Sequence, residues 1–118
     1  MEREVLAWFA GQEHRLAEQV VEAQIAAREA TSIGFFTELQ IPPSLPAIVG
    51  VPQGSFAFEG CAVFSSNVDP YAECILHLVD GRIRSLEIYS VGTGNPIESV
   101  VFDIRPININ RVDMRASP

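Results

Sequence analysis

The run from Tyr71 to Ser90 constrains this chain more than any other stretch. It reads Tyr-Ala-Glu-Cys-Ile-Leu-His-Leu-Val, then Asp80-Gly81, then Arg-Ile-Arg-Ser-Leu-Glu-Ile-Tyr-Ser. Asp-Gly supplies the two positive φ values of a type I′ turn, whose twist matches that of the strands it joins. The stretch is therefore expected to be a β-hairpin with a two-residue loop. Such a loop sets Leu78 opposite Ile83, Leu76 opposite Ser85 and Cys74 opposite Glu87.

With Phe64 paired to Ala72, this register sorts side chains onto two faces. One carries Phe58, Ala62, Phe64, Ala72, Cys74, Leu76, Leu78, Ile83, Glu87 and Tyr89. The other carries Glu59, Cys61, Val63, Ile75, His77, Arg84, Leu86 and Ile88. The first is the better core and is expected to receive the helices. The two cysteines fall on opposite faces, and Glu59, His77 and Arg84 fall side by side in a solvated charge cluster worth little stability.

Glu87 is the anomaly of that register. A carboxylate on an apolar face costs several kcal/mol unless it is paired or protonated. It reads either as a rim carboxylate tied to an Arg or to backbone N–H groups, or as a site carboxylate, with Tyr89 and Cys74 lining the same pocket. Its structural role is the expected one. Glu87, Tyr89 and Cys74 are the candidate ligand-binding residues, and no residue is assigned as catalytic.

Along the rest of the chain, Glu2–Ala10 reads as a short helix with Val5, Leu6, Trp8 and Phe9 on its apolar side and Gly11 as its stop. A second helix starts near Gln12, with Leu16, Val20 and Ala23 in a stripe. Residues 24–31 fit either a continuation of that helix, through Ala27 and Ala30, or a strand paired with Phe35–Ile41. Pro42, Pro43 and Pro46 end the latter in an extended loop. Phe56–Ser65 is a further strand, with Gly60 placed for a bulge, and Ser99–Ile104 adds another. Residues 105–118 read as a tail or arm.

Composition narrows the classes. A chain of 118 residues, 47% apolar, suits one folded domain spanning 1–118. Its formal net charge is −7 and it has no Lys, so it repels phosphate backbones, and a nucleic-acid partner is not expected. No apolar run is long enough for a bilayer span and the start is no signal peptide, which points to the cytoplasm. Cys61 and Cys74 belong to no Cys-x-x-Cys pair, and with His14 and His77 they are scattered rather than set at ligand spacing. Buried free thiols are expected, with no metal and no cofactor. Gly92-x-Gly94 follows a strand as phosphate loops do, but Pro96 breaks that pattern. No Gly-x-Ser-x-Gly elbow is present.

Three segments carry a resemblance: Phe9-Ala10-Gly11-Gln12, Ala30-Thr31-Ser32-Ile33-Gly34-Phe35-Phe36-Thr37, and Leu78 to Tyr89 around Asp80-Gly81-Arg82-Ile83-Arg84-Ser85-Leu86-Glu87. Together they resemble a loose group of small uncharacterised bacterial proteins. That group has a Phe-Pro-Gly helix start, a Thr-Gly-x-Gly-Phe-Phe-Thr strand and an Asp-Gly-x-Ile-x-x-Leu-Glu hairpin. Ala10 stands where the group has Pro, and Ser32 where it has Gly. The resemblance implies an α+β fold, helices first and an antiparallel sheet after, which favours strand over helix for 24–31. It carries no catalytic residues. Some members look like immunity-type or other accessory binding proteins.

The expectation is an α+β fold in which two N-terminal helices pack on one face of a curved antiparallel sheet of about five strands. The expected function is non-catalytic binding of a protein partner, or self-association as a dimer. The alternative is a small-molecule-binding protein or enzyme, with a pocket between helices and sheet near Glu87.

Overall fold

Asp80 (φ 51°) and Gly81 (φ 76°) form the two-residue turn in the computed structural model, which describes residues 1–107. Helix α1 spans Glu2–Gln12, and a 3₁₀ turn at His14–Leu16 leads into α2, Ala17–Glu22. The strands are β1 (Gln24–Ala30), β2 (Gly34–Gln40), β3 (Ser55–Ser65), β4 (Val68–Asp69), β5 (Ala72–Val79), β6 (Arg82–Ser90), β7 (Thr93–Gly94) and β8 (Val101–Pro106). Six of them form one sheet in the order β1-β2-β6-β5-β3-β8, while β4 and β7 make a separate two-stranded ribbon. Every pairing is antiparallel. The sheet thus has six strands rather than about five, because both outer segments, 24–30 and 101–106, join it. Residues 108–118 of the expected tail lie outside the described residues; Arg105 and Pro106 complete β8.

Helix α1 runs on through Gly11, which meets nothing within 4 Å where a Cβ would stand. Glu13 ends it. Its backbone turns extended (φ −132°), its N–H donates to the Phe9 carbonyl at 2.8 Å, and its carboxylate accepts from the Arg15 N–H to start the next turn. Residues 24–30 are a strand despite their helical propensity. As a strand, Arg28 reaches Glu2, whose carboxylate is 4% exposed and also accepts from the Thr37 hydroxyl at 2.9 Å. Burial pushes the Glu2 carboxyl up, but hydrogen bonds from Arg28, backbone and Thr37, together with the Arg28 charge, outweigh it and leave the pKa lowered.

The helices supply Val5, Leu6, Phe9, Leu16 and Val20 to one continuous core. The sheet supplies Phe35, Leu39, Cys61, Val63, Ala72, Cys74, Leu76, Leu78, Ile83, Leu86 and Ile88. Each fully buried aliphatic side chain contributes about 1.5–3 kcal/mol relative to exposure. Strand β5 presents Ala72, Cys74, Leu76 and Leu78 inward, in unbroken alternation.

Its neighbours do not alternate, and this corrects the expected register. On β6 the pairing runs Leu78↔Ile83 and then His77↔Ser85, leaving Arg84 unpaired. On β3 it runs Glu59↔Ile75 and then Cys61↔Cys74, leaving Gly60 (φ 125°) unpaired. Each extra residue inverts the faces beyond it. Leu86 and Ile88 therefore point into the core with Cys61 and Val63, while Glu87, Tyr89, Ala62 and Phe64 point away. Ala72 pairs with Val63 rather than Phe64.

Gln19 joins the helical layer to the hairpin. It is 1% exposed. Its side-chain amide donates to the Pro46 and Gly81 carbonyls, both at 3.1 Å, and its oxygen accepts from the Ile83 N–H at 2.8 Å. The proline loop is held by the same corner: the Ile48 N–H donates to the Gly81 carbonyl, the Gly54 N–H to the Asp80 carboxylate, and Arg82 to the Pro42 and Leu45 carbonyls.

Candidate functional site

The sheet face turned away from the helices is built in cross-strand rows. One row crosses five strands as Glu59, Ile75, Glu87, Phe36 and Glu29. The next is Ala57, His77, Ser85, Glu38 and Ala27. On the other side run Arg105, Ala62, Glu73, Tyr89 and Gly34. Neighbouring strands lie about 4.8 Å apart, so Glu59, Glu87 and Glu29 recur at roughly twice that spacing, separated by Ile75 and Phe36.

Glu87 is therefore not a carboxylate in the core, as the unbroken register had it. The bulge at Arg84 carries it to the open face, where its Oε1 lies 3.2 Å from His77 Nε2 and its side chain is 25% exposed. The expected cluster of Glu59, His77 and Arg84 does not form as such. Glu59 sits beside Ile75, Arg84 is the exposed bulge residue, and His77 takes Glu87.

Tyr89 shares the open face with Glu87. Its hydroxyl donates to Glu73 Oε2 at 2.8 Å, and Glu73 is the buried carboxylate of this face, 3% exposed. Burial first, then the charges of Glu87 and Glu59, push the Tyr89 pKa up. The phenol remains a hydrogen-bond donor at neutral pH. Cys74 lies on the opposite, core face beside Cys61, so it is separated from the other two candidates by the thickness of the sheet. Both thiols are free, and burial, followed by the Cys61 contact, raises the pKa of Cys74.

Among the described residues, several cavities lie away from Glu87 and Tyr89. One of about 590 Å³ opens by Glu38, Arg82 and Arg84, and one of about 400 Å³ by Val21 and Leu45. One of about 450 Å³ is lined by Phe64, Tyr71 and Arg105, whose guanidinium stands 4.7 Å over the Phe64 ring. A smaller one, about 180 Å³, lies at the start of α1 and is lined by Glu2, Arg28, Phe35, Ile97 and Ser99. The Ser99 hydroxyl is buried without a partner among the described residues.

Segment β1 is a strand, as the resemblance implied for 24–31; its position as an open edge is what the sequence did not mark. Among the described residues it pairs only with β2, and all seven of its residues are exposed. It contains no proline, and Ile25 is 40% exposed. An edge of this kind presents unpaired backbone N–H and C=O groups to any extended chain. Its one readable signal was the absence of an apolar alternation in Gln24–Ala30, which a strand buried on one face would show.

No family model, no curated protein and no solved structure matches the chain. Among the described residues, no helix is long and apolar enough to cross a membrane.

Proposed function

We propose that this chain is a non-catalytic binding protein of the accessory, immunity-like kind, and that it takes a basic, extended segment of a partner protein along β1. The observation that carries this reading is the free outer edge of β1, seven exposed residues on the margin of a six-stranded sheet. Strand addition gives affinity through main-chain hydrogen bonds and specificity through alternate side chains. The charge of the neighbouring face supports a basic partner. Glu29 and Glu38 stand nearest that edge, with Glu87 and Glu59 farther along the row of Glu29. The same charge disfavours nucleic acid. Two buried free thiols suit a reducing compartment and support a cytoplasmic setting.

Selection of displayed peptides on the immobilised protein tests the reading. Enriched sequences should alternate Lys or Arg with β-formers. Their binding should shift the backbone amide resonances of 24–30 and weaken about tenfold on Glu29→Lys with Glu38→Lys. Self-pairing of this edge would instead give a concentration-dependent mass. Shifts confined to the residues around the 180 Å³ cavity would favour a small-molecule site there, and the binding-protein reading would be abandoned.

A further inference from the structure

We infer that Cys61 and Cys74 are a redox pair, placed so that a cross-strand disulfide closes between them with a low-molecular-weight disulfide as the oxidant. They are direct partners in the antiparallel β3–β5 ladder. Directly opposed residues in such a ladder have Cα atoms about 4.5–5.5 Å apart, inside the window of about 4.4–6.8 Å that a disulfide spans. Both side chains are in the same buried core, 0% and 1% exposed, and both are free.

The backbone beside them is irregular. Gly60, without a partner on β5, immediately precedes Cys61; its carbonyl accepts from the Ile107 N–H at 2.9 Å, and an added Cβ there would meet nothing within 4 Å. Small changes at this position can bring the two Cβ atoms to the separation of about 3.5–4.5 Å that the bond prefers.

The chemistry balances as two exchanges. The thiolate of one cysteine attacks a sulfur of the small disulfide and expels one small thiolate, leaving a mixed disulfide on the protein. The second cysteine attacks the protein sulfur of that adduct and expels the other small thiolate. The protein loses two protons and two electrons, the oxidant becomes two thiols, and the cysteine protons end on the released thiolates. Burial keeps the Cys74 thiol protonated, so the exchange waits on a local opening of β3. Access sets its rate, and geometry sets its equilibrium.

Equilibrium is therefore the quantity to measure. The wild-type protein is brought to equilibrium in graded reduced and oxidised glutathione, once under native conditions and once in concentrated urea, then acid-quenched, alkylated and weighed. The unfolded chain should show an effective thiol concentration on the order of millimolar, as for a short flexible loop. The native fold should raise it at least tenfold, with loss of two hydrogens as the dominant modification. Cys61→Ser and Cys74→Ser should each abolish that loss. A native value equal to or below the urea value, or a native product made of glutathione adducts or intermolecular dimers, would overturn the inference.

Discussion

Replacing Gln19 by Leu isolates the polar joint between α2 and the hairpin. The two side chains are close in volume, so the main change is in hydrogen bonding. Three bonds disappear, but not at equal cost. The Gly81 carbonyl keeps the Ile48 N–H at 2.9 Å. The Pro46 carbonyl is in a partly buried contact and can turn to water. The Ile83 N–H is left in the core with no acceptor, and an orphaned buried donor costs about 1–3 kcal/mol. Gln19→Leu should therefore lose about 1–3 kcal/mol in urea denaturation, or roughly 3–10 °C in Tm for a domain of this size. Gln19→Glu makes the sharper test. It keeps an acceptor for Ile83 but turns a carboxylate oxygen toward two carbonyls, so the folded state favours the protonated acid. A raised folded pKa means that the penalty grows as pH rises through the ordinary carboxylate range and levels off above the folded value. Urea midpoints at acidic and neutral pH read this directly. Wild-type stability in Gln19→Leu, together with a pH-independent Gln19→Glu, would refute the reasoning.

Three more perturbations follow from the same structure. Gly81→Val puts a β-branched residue at φ 76° with its Cβ 2.7 Å from the Ile48 carbonyl oxygen, and should cost about 2–4 kcal/mol in urea denaturation, of which strain alone is about 1–3 kcal/mol; a loss under 1 kcal/mol would mean the turn is formed otherwise. Glu2→Gln should destabilise by about 1–3 kcal/mol at neutral pH. Because the folded Glu2 pKa is lowered, the wild-type advantage is present above the unfolded pKa and lost as pH falls through the folded one, so the two denaturation curves should converge in acid. Glu87→Gln should change stability by less than about 1 kcal/mol, the range of a partly exposed carboxylate–imidazole contact, in thermal melts at neutral pH; a loss of several kcal/mol would return Glu87 to the core.

The parts of the fold legible in the sequence were those set by local chemistry. Asp80-Gly81 has one good use, and β5 alternates without interruption, so the turn and the central strand follow from the residues themselves. Residues 24–30 were ambiguous because propensity favours helix, while the strand is set by its antiparallel ladder with β2 and by Arg28 reaching Glu2, a contact across distant chain. Gln19 gave no signal because its partners are backbone groups at 46, 81 and 83. The inverted faces were readable in principle. Phe58 and Cys61 are three residues apart, as are Ile83 and Leu86, and an odd interval between inward residues of one strand announces an extra residue. Strict alternation carried through Gly60 and Arg84 placed Glu87 in the core and parted the two cysteines. The candidate site inherited that error in Cys74, and kept Glu87 and Tyr89 together only because both lie beyond the same bulge.

Each bulge holds one residue that its partner strand does not use, so each is a point where the chain can lose a residue and keep its faces. Deleting Arg84 would leave Ile83, Ser85 and Leu86 opposite Leu78, His77 and Leu76, with Leu86 and Ile88 still inward and only the extra twist of the bulge gone. Deleting Gly60 would likewise keep Glu59 opposite Ile75 and Cys61 opposite Cys74. Residues 41–54, which form no helix or strand, have no pleat to invert. A lineage of such chains can therefore drift in length through that loop and at these two bulge positions, but a paired residue lost elsewhere in the two strands must be matched by a gained one, or by loss of the bulge residue, before the faces again read correctly.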